Sequence, residues 1–102
     1  MNHLKKFKEN VDNYYWETSF IEYYKGDPIG FSYYDVKVIK DICNKKNINV
    51  EINYERIIIN PNSYRSGVLY RIEDDYYQLS VSKYWYKADQ IEGLINMLED
   101  LF

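Results

Sequence analysis

The apolar period of this chain changes at Val50, and that change restricts the fold more than any other feature. Before it, apolar residues recur three and four apart; after it, Val50, Ile52 and Tyr54 alternate with Glu51, Asn53 and Glu55. A period of about 3.6 places side chains on one helical face, whereas a period of two places them on one side of a strand. Near the end the helical spacing returns, in Ile91, Leu94, Ile95, Leu98 and Phe102. The order is therefore helices, strands, helix, with no room for parallel crossovers, which defines an α+β class. The expected architecture is two N-terminal helices, a three- to four-stranded antiparallel meander and a C-terminal helix packed on the sheet.

At 102 residues the chain forms a single compact domain, residues 1–102. In the first helical region, residues 3–24, Leu4, Phe7, Val11, Tyr14 and Tyr15 follow helical spacing, and the pattern blurs after Tyr15. The run Lys25–Gly30, with two Gly and a Pro, stops it. Ser32 and Asp35 form a capping box for the next helix, with Val36, Ile39, Ile42 and Cys43 as its apolar stripe. Lys37, Lys40, Asp41 and Lys45 face outward, and Asn44 or Asn47 supplies a left-handed C-terminal cap.

In the strand region Ile57 and Ile59 face inward, which requires a bulge or short turn near Glu55–Arg56 to keep Val50 and Ile52 in phase. A four-residue loop at Asn60–Ser63 pairs Ile59 with Tyr64. A two-residue loop at Asp74–Asp75 sets Ile72 opposite Tyr77, Tyr70 opposite Leu79 and Val68 opposite Val81, three apolar pairs in one register. Asp89 and Glu92 form a second capping box, for the last helix.

Few residues offer chemistry. The single histidine, His3, and the single cysteine, Cys43, make a zinc site and a Ser-His-acid apparatus poor expectations. Glu73, Asp74 and Asp75 read as a solubilising turn, with neither the glycine of a calcium loop nor a phosphate loop nearby. No cofactor or metal is expected. One cysteine excludes an internal disulfide, no apolar run reaches membrane-spanning length and the N-terminus lacks a signal-peptide core, so the expected location is cytoplasmic with no membrane partner.

Aromatic residues make up 19% of the chain, and 13 of them are Tyr. With the register above, Arg65, Arg71, Tyr76, Tyr84 and Tyr86 share the outer sheet face. Tyr14 and Trp16 belong to an aromatic segment with more large side chains than one core face absorbs, and Tyr54 lies on the first strand. Tyr, Trp and Arg are the residues enriched in protein-protein hot spots. The leading expectation is a small, non-enzymatic protein-binding domain, an inhibitor or adaptor such as a phage or mobile element would carry. A homodimer is a further way to cover the aromatic surplus. The second reading is a nucleic-acid binder that uses the Tyr/Arg face, which the formal charge of -3 disfavours. A third is a carboxylate-dependent hydrolase or nuclease built on Glu51, Glu73 and Lys83.

Overall fold

The computed structural model describes residues 5–7, 15–18, 28–72 and 76–102. In chain order the elements are β1 (Lys5–Phe7), β2 (Tyr15–Thr18), β3 (Pro28–Ile29), α1 (Tyr33–Lys45), β4 (Val50–Ile52), β5 (Ile57–Ile59), β6 (Gly67–Ile72), β7 (Tyr76–Val81), β8 (Tyr84–Ala88) and α2 (Ile91–Leu101). All eight strands join one antiparallel sheet in the order β1-β2-β8-β7-β6-β5-β4, and β3 pairs with β6 off that path. Its body is the six strands from β2 to β4, with the short β1 and β3 added at their edges.

The α+β layering holds, but the expected architecture is corrected in two respects. Among the described residues a single helix, α1, precedes the meander, and the sheet exceeds three to four strands. Within residues 3–24 the described residues are strands: Lys5, Lys6 and Phe7 pair with Glu17, Trp16 and Tyr15. Tyr15 to Thr18 also pair with Ala88 to Trp85 on β8. Tyr, Trp and Thr fit a pleated, half-buried surface well and lose rotamer freedom in helices, so an available sheet edge outweighs the helical spacing. The rest of that segment, with Tyr14, His3 and the acidic run Glu73–Asp75, lies outside the described residues.

Local chemistry places α1 as expected. The Ser32 hydroxyl accepts from the Asp35 N–H at 3.0 Å, and the Asp35 carboxylate accepts from the Ser32 N–H at 3.1 Å. Ile39, Ile42 and Cys43 are buried, and Asn47 adopts a left-handed φ of 59° just beyond the helix. Residues 50–59 form two strands joined by a four-residue turn, in which the Asn53 N–H donates to the Arg56 carbonyl. That turn brings Val50 and Ile59 opposite one another, so the phase problem is resolved by a turn and not by a bulge.

The central hairpin is one residue out of the expected register. Ile72 pairs with Tyr76, Tyr70 with Gln78 and Leu69 with Leu79. Three residues, not two, connect the strands, and so every β6 side chain changes face. Gly67, Leu69 and Arg71 point to the helix side, while Val68, Tyr70 and Ile72 point away from it, and Ile72 is nevertheless buried, at 2% exposed. Ile57, Leu69, Leu79 and Tyr86 then form one row across four strands under the helices, all buried. Gly67 leaves room in this register for two side chains, because a Cβ there would lie 2.6 Å from Phe102 Cζ and 3.1 Å from Leu79 Cδ1 and the Phe102 ring would have to move. Ile59 pairs with Gly67 and not with Tyr64, through a seven-residue loop in which Asn60 and Asn62 take left-handed φ. After Val81 the chain reverses at Ser82–Lys83, with Ser82 at φ 57°.

Helix α2 starts one residue later than expected. Gln90 is its N-cap and makes no side-chain cap bond, so Asp89 and Glu92 do not form the capping box. Leu94, Met97 and Leu98 are buried against the sheet. Its last turn holds no basic residue, and two distant cations serve its free carbonyls instead. Lys46 Nζ donates to the Glu99 carbonyl at 3.0 Å, and Arg65 Nε donates to the Leu101 carbonyl at 2.8 Å.

The register has a direct stability consequence. Leu69→Ala is expected to cost about 2–5 kcal/mol in chemical denaturation, because transfer and cavity terms add. Val68→Thr, on the other face, is expected to cost about 1 kcal/mol or less. The reverse ranking would restore the alternative register.

Candidate functional site

Two strands share one edge of β6. Strand β5 pairs with it as far as Leu69, and β3 pairs with it from Arg71. Tyr70 marks the junction, with the β4–β5 turn on one side of it and β3 on the other. Between them lies an open cleft of about 520 Å³, lined by Pro28, Asn53, Tyr54, Glu55, Arg56 and Tyr70. The volume lies within the roughly 300–1,000 Å³ typical of ligand sites.

Each wall has a local cause. Pro28 can open the short strand β3 because the first residue of a strand can do without the N–H that proline lacks. The Tyr54 ring rests against Gly30, where a Cβ would fall 2.7 Å from Tyr54 Cζ, so a side chain at position 30 would displace the ring. Tyr54 nevertheless remains 77% exposed. Arg56 is exposed in the turn, and no hydrogen bond or ion pair engages its guanidinium or the Tyr54 hydroxyl among the described residues. Tyr33 and Tyr34, both exposed, begin α1 three residues beyond Gly30, and Tyr33 faces a separate hollow along the helix with Val36, Lys37 and Lys40.

Beneath the corner, on the helix side of the sheet, lies a buried polar node. Asp35, only 3% exposed, accepts from Arg71 Nη1 at 3.0 Å and from the Tyr77 hydroxyl at 2.8 Å. Together with the Ser32 N–H, these donors satisfy both carboxylate oxygens. The node fixes the first turn of α1, and hence the Gly30–Ser32 segment that supports Tyr54.

The expected partner-surface residues divide between the two faces of the sheet. Arg65, Tyr84 and Tyr86 gather on the helix side, with the Tyr84 and Tyr86 ring centroids 6.4 Å apart and Arg65 close enough to Tyr86 to oppose the rise that burial causes in its ionisation. Arg71 is drawn inward to Asp35, its side chain 18% exposed. Tyr86 is buried on the helix face, edge-on to Tyr15 with ring centroids 6.2 Å apart. Tyr84 shares that face but projects at its far end, half exposed. Arg65 sits in the loop before β6, tied to the end of α2, and not on a strand of the outer face. Tyr76 is on the outer face, where Lys87 Nζ stacks 4.0 Å from its ring centroid. Trp16 occupies a ladder position opposite Lys87. Among the described members of the expected set, Tyr54 alone lines the cleft. The cleft residues that sequence reasoning missed are Pro28, Asn53, Glu55, Arg56 and Tyr70; the Asn-Tyr-Glu-Arg turn between two short strands was their one available signal.

The remaining polar features are structural. Burial raises the Cys43 thiol above its ordinary value, with Lys46 partly offsetting the shift. No group of three His, Cys, Asp or Glu residues suited to a metal occurs among the described residues. No helix among them is long and apolar enough to cross a membrane. Comparison with protein-family models, curated proteins and solved structures finds no match in any of the three.

Tyr15 supplies a pH test of the packing. Its hydroxyl donates to Asp100 at 3.0 Å, and burial, reinforced by that carboxylate, raises its ionisation far above the ordinary value. The folded state therefore keeps a proton that the unfolded chain releases near pH ~10. Stability is fully present below that pH and is lost as pH rises above it. In urea melts between pH 9 and 11, Tyr15→Phe should flatten this decline, by up to about 1.4 kcal/mol per pH unit. Parallel profiles for the two proteins would show that Tyr15 is not buried against α2.

Proposed function

We propose that this chain is a non-enzymatic protein-binding domain, acting as an inhibitor or adaptor through the cleft at the divided edge of β6. The observation that carries the reading is the pairing of an exposed Tyr54 with an unengaged Arg56 in one concave site. A long aromatic side chain left in water and a guanidinium without a counter-ion contribute little to folding. Both become valuable when a partner desolvates them, and Tyr and Arg are the residue types that dominate interface energetics. Concavity matters as well, since hot spots cluster where surrounding contacts exclude water.

The nucleic-acid reading has less support. It relied on a continuous Tyr/Arg sheet face, and three members of that face, Arg71, Tyr84 and Tyr86, lie on the helix side. A chain with formal charge -3 also lacks the positive field that drives phosphate association.

The test compares immobilised wild-type protein with a Tyr54→Ala/Arg56→Ala double variant and with Tyr64→Ala, a control at the opposite end that is 96% exposed. The expected result is a protein partner that survives nuclease treatment, retained by wild type and control and weakened by more than about 1 kcal/mol in the cleft variant. All three proteins should melt alike. Recovery of nucleic acid alone, or of a partner indifferent to the cleft variant, would contradict the reading.

A further inference from the structure

The cleft lining divides into three chemistries. Pro28, Tyr54 and Tyr70 offer two aromatic rings and a pyrrolidine; Asn53 and Glu55 offer an amide and a carboxylate; Arg56 offers an unengaged guanidinium. Each constrains the occupant. Aromatic-lined grooves suit proline rings, because a polyproline II segment is already extended and loses little entropy on docking. Such a segment has no internal hydrogen bonds, so its backbone N–H and C=O groups are free for Glu55 and Asn53. A guanidinium presents a fork of donors that matches a carboxylate in two-point contact, which an ammonium cannot do.

We propose that the cleft takes an extended, proline-containing segment of a partner protein that carries an acidic residue, with the proline seated between Tyr54 and Tyr70 and the carboxylate paired with Arg56. The proposal rests on the reading of the chain as a protein-binding domain. It adds the chemistry of the partner. A helical occupant is disfavoured because a helix has its backbone groups already paired, leaving Asn53 and Glu55 unused.

Gly30 provides a test that leaves every lining side chain chemically intact. Gly30→Ala places a methyl group where the Tyr54 ring now lies, and the mobile end of that side chain must move away. The wall is displaced while the fold is retained.

The probes are immobilised decapeptide arrays with two prolines and, at each remaining position in turn, Glu, Lys or Asn, together with matched arrays lacking proline. Fluorescently labelled full-length protein should bind the proline arrays containing Glu. Hits resynthesised as free peptides should lose at least about tenfold affinity with Arg56→Glu and with Gly30→Ala, and little with Tyr64→Ala. Arg56→Glu should shift the preference from Glu to Lys arrays, a gain that misfolding cannot produce. No binding to any proline array, equal binding to proline-free arrays, or an Arg56→Glu protein with unchanged preference would overturn the proposal. If a cleft-dependent protein partner is nevertheless captured, the binding-domain reading stands and only the partner chemistry falls.

Discussion

The buried carboxylate of Asp35 is the point on which the rest of the fold depends. It is the N3 residue of α1, the counter-ion of Arg71 on β6 and the acceptor for Tyr77 on β7. One side chain thus joins a local helix cap to the two central strands. A carboxylate this far from water is tolerable only when its oxygens are fully hydrogen-bonded and its charge is balanced. Three donors from three segments meet that condition, so helix position and strand register are coupled. If β6 slipped by one residue, Arg71 would move to the outer face, and Asp35 would be left buried without a counter-ion. Leu69 would leave the core in the same step.

This coupling also locates the candidate site. Arg71 is where β3 joins β6, opposite Ile29, and Ser32 is where α1 begins. With both held through Asp35, the short connection through Gly30 has little freedom, and the Tyr54 ring packs on it. The cleft is therefore open to solvent yet bordered by a fixed backbone. A preformed site of this kind reduces the ordering cost of association. At the far end of the sheet Lys46 and Arg65 serve the C-terminal carbonyls of α2, so these two cations are committed to the fold.

Features governed by neighbours in sequence were legible from the sequence. The capping box of α1, its buried stripe, the inward residues of β7 and the buried Leu94 and Leu98 all follow from local spacing and cap chemistry. Features governed by tertiary choice were not. Tyr15 and Phe7 fit helical spacing, and only pairing with β8 makes that segment a strand edge. Arg71 looks like a surface residue until Asp35 is known to be buried beside it. The reversal at Ser82–Lys83 has no Gly, Asn or Pro to announce it, and Ser82 simply takes up the left-handed conformation. The cleft was hidden for the same reason: it exists where β3 and β5 share an edge, and Pro28 and Tyr70 are 42 residues apart in sequence.

The central claim is that Asp35 and Arg71 act as one unit, and a double-mutant cycle of Asp35→Asn and Arg71→Met measures it directly by chemical denaturation. Each single change strands a buried charge and is expected to cost about 3–5 kcal/mol. The double variant removes both charges together, so its loss should fall well short of the sum, with a coupling energy above about 1 kcal/mol. Additive losses, or single variants within about 0.5 kcal/mol of wild type, would show that the pair does not hold α1 to the sheet.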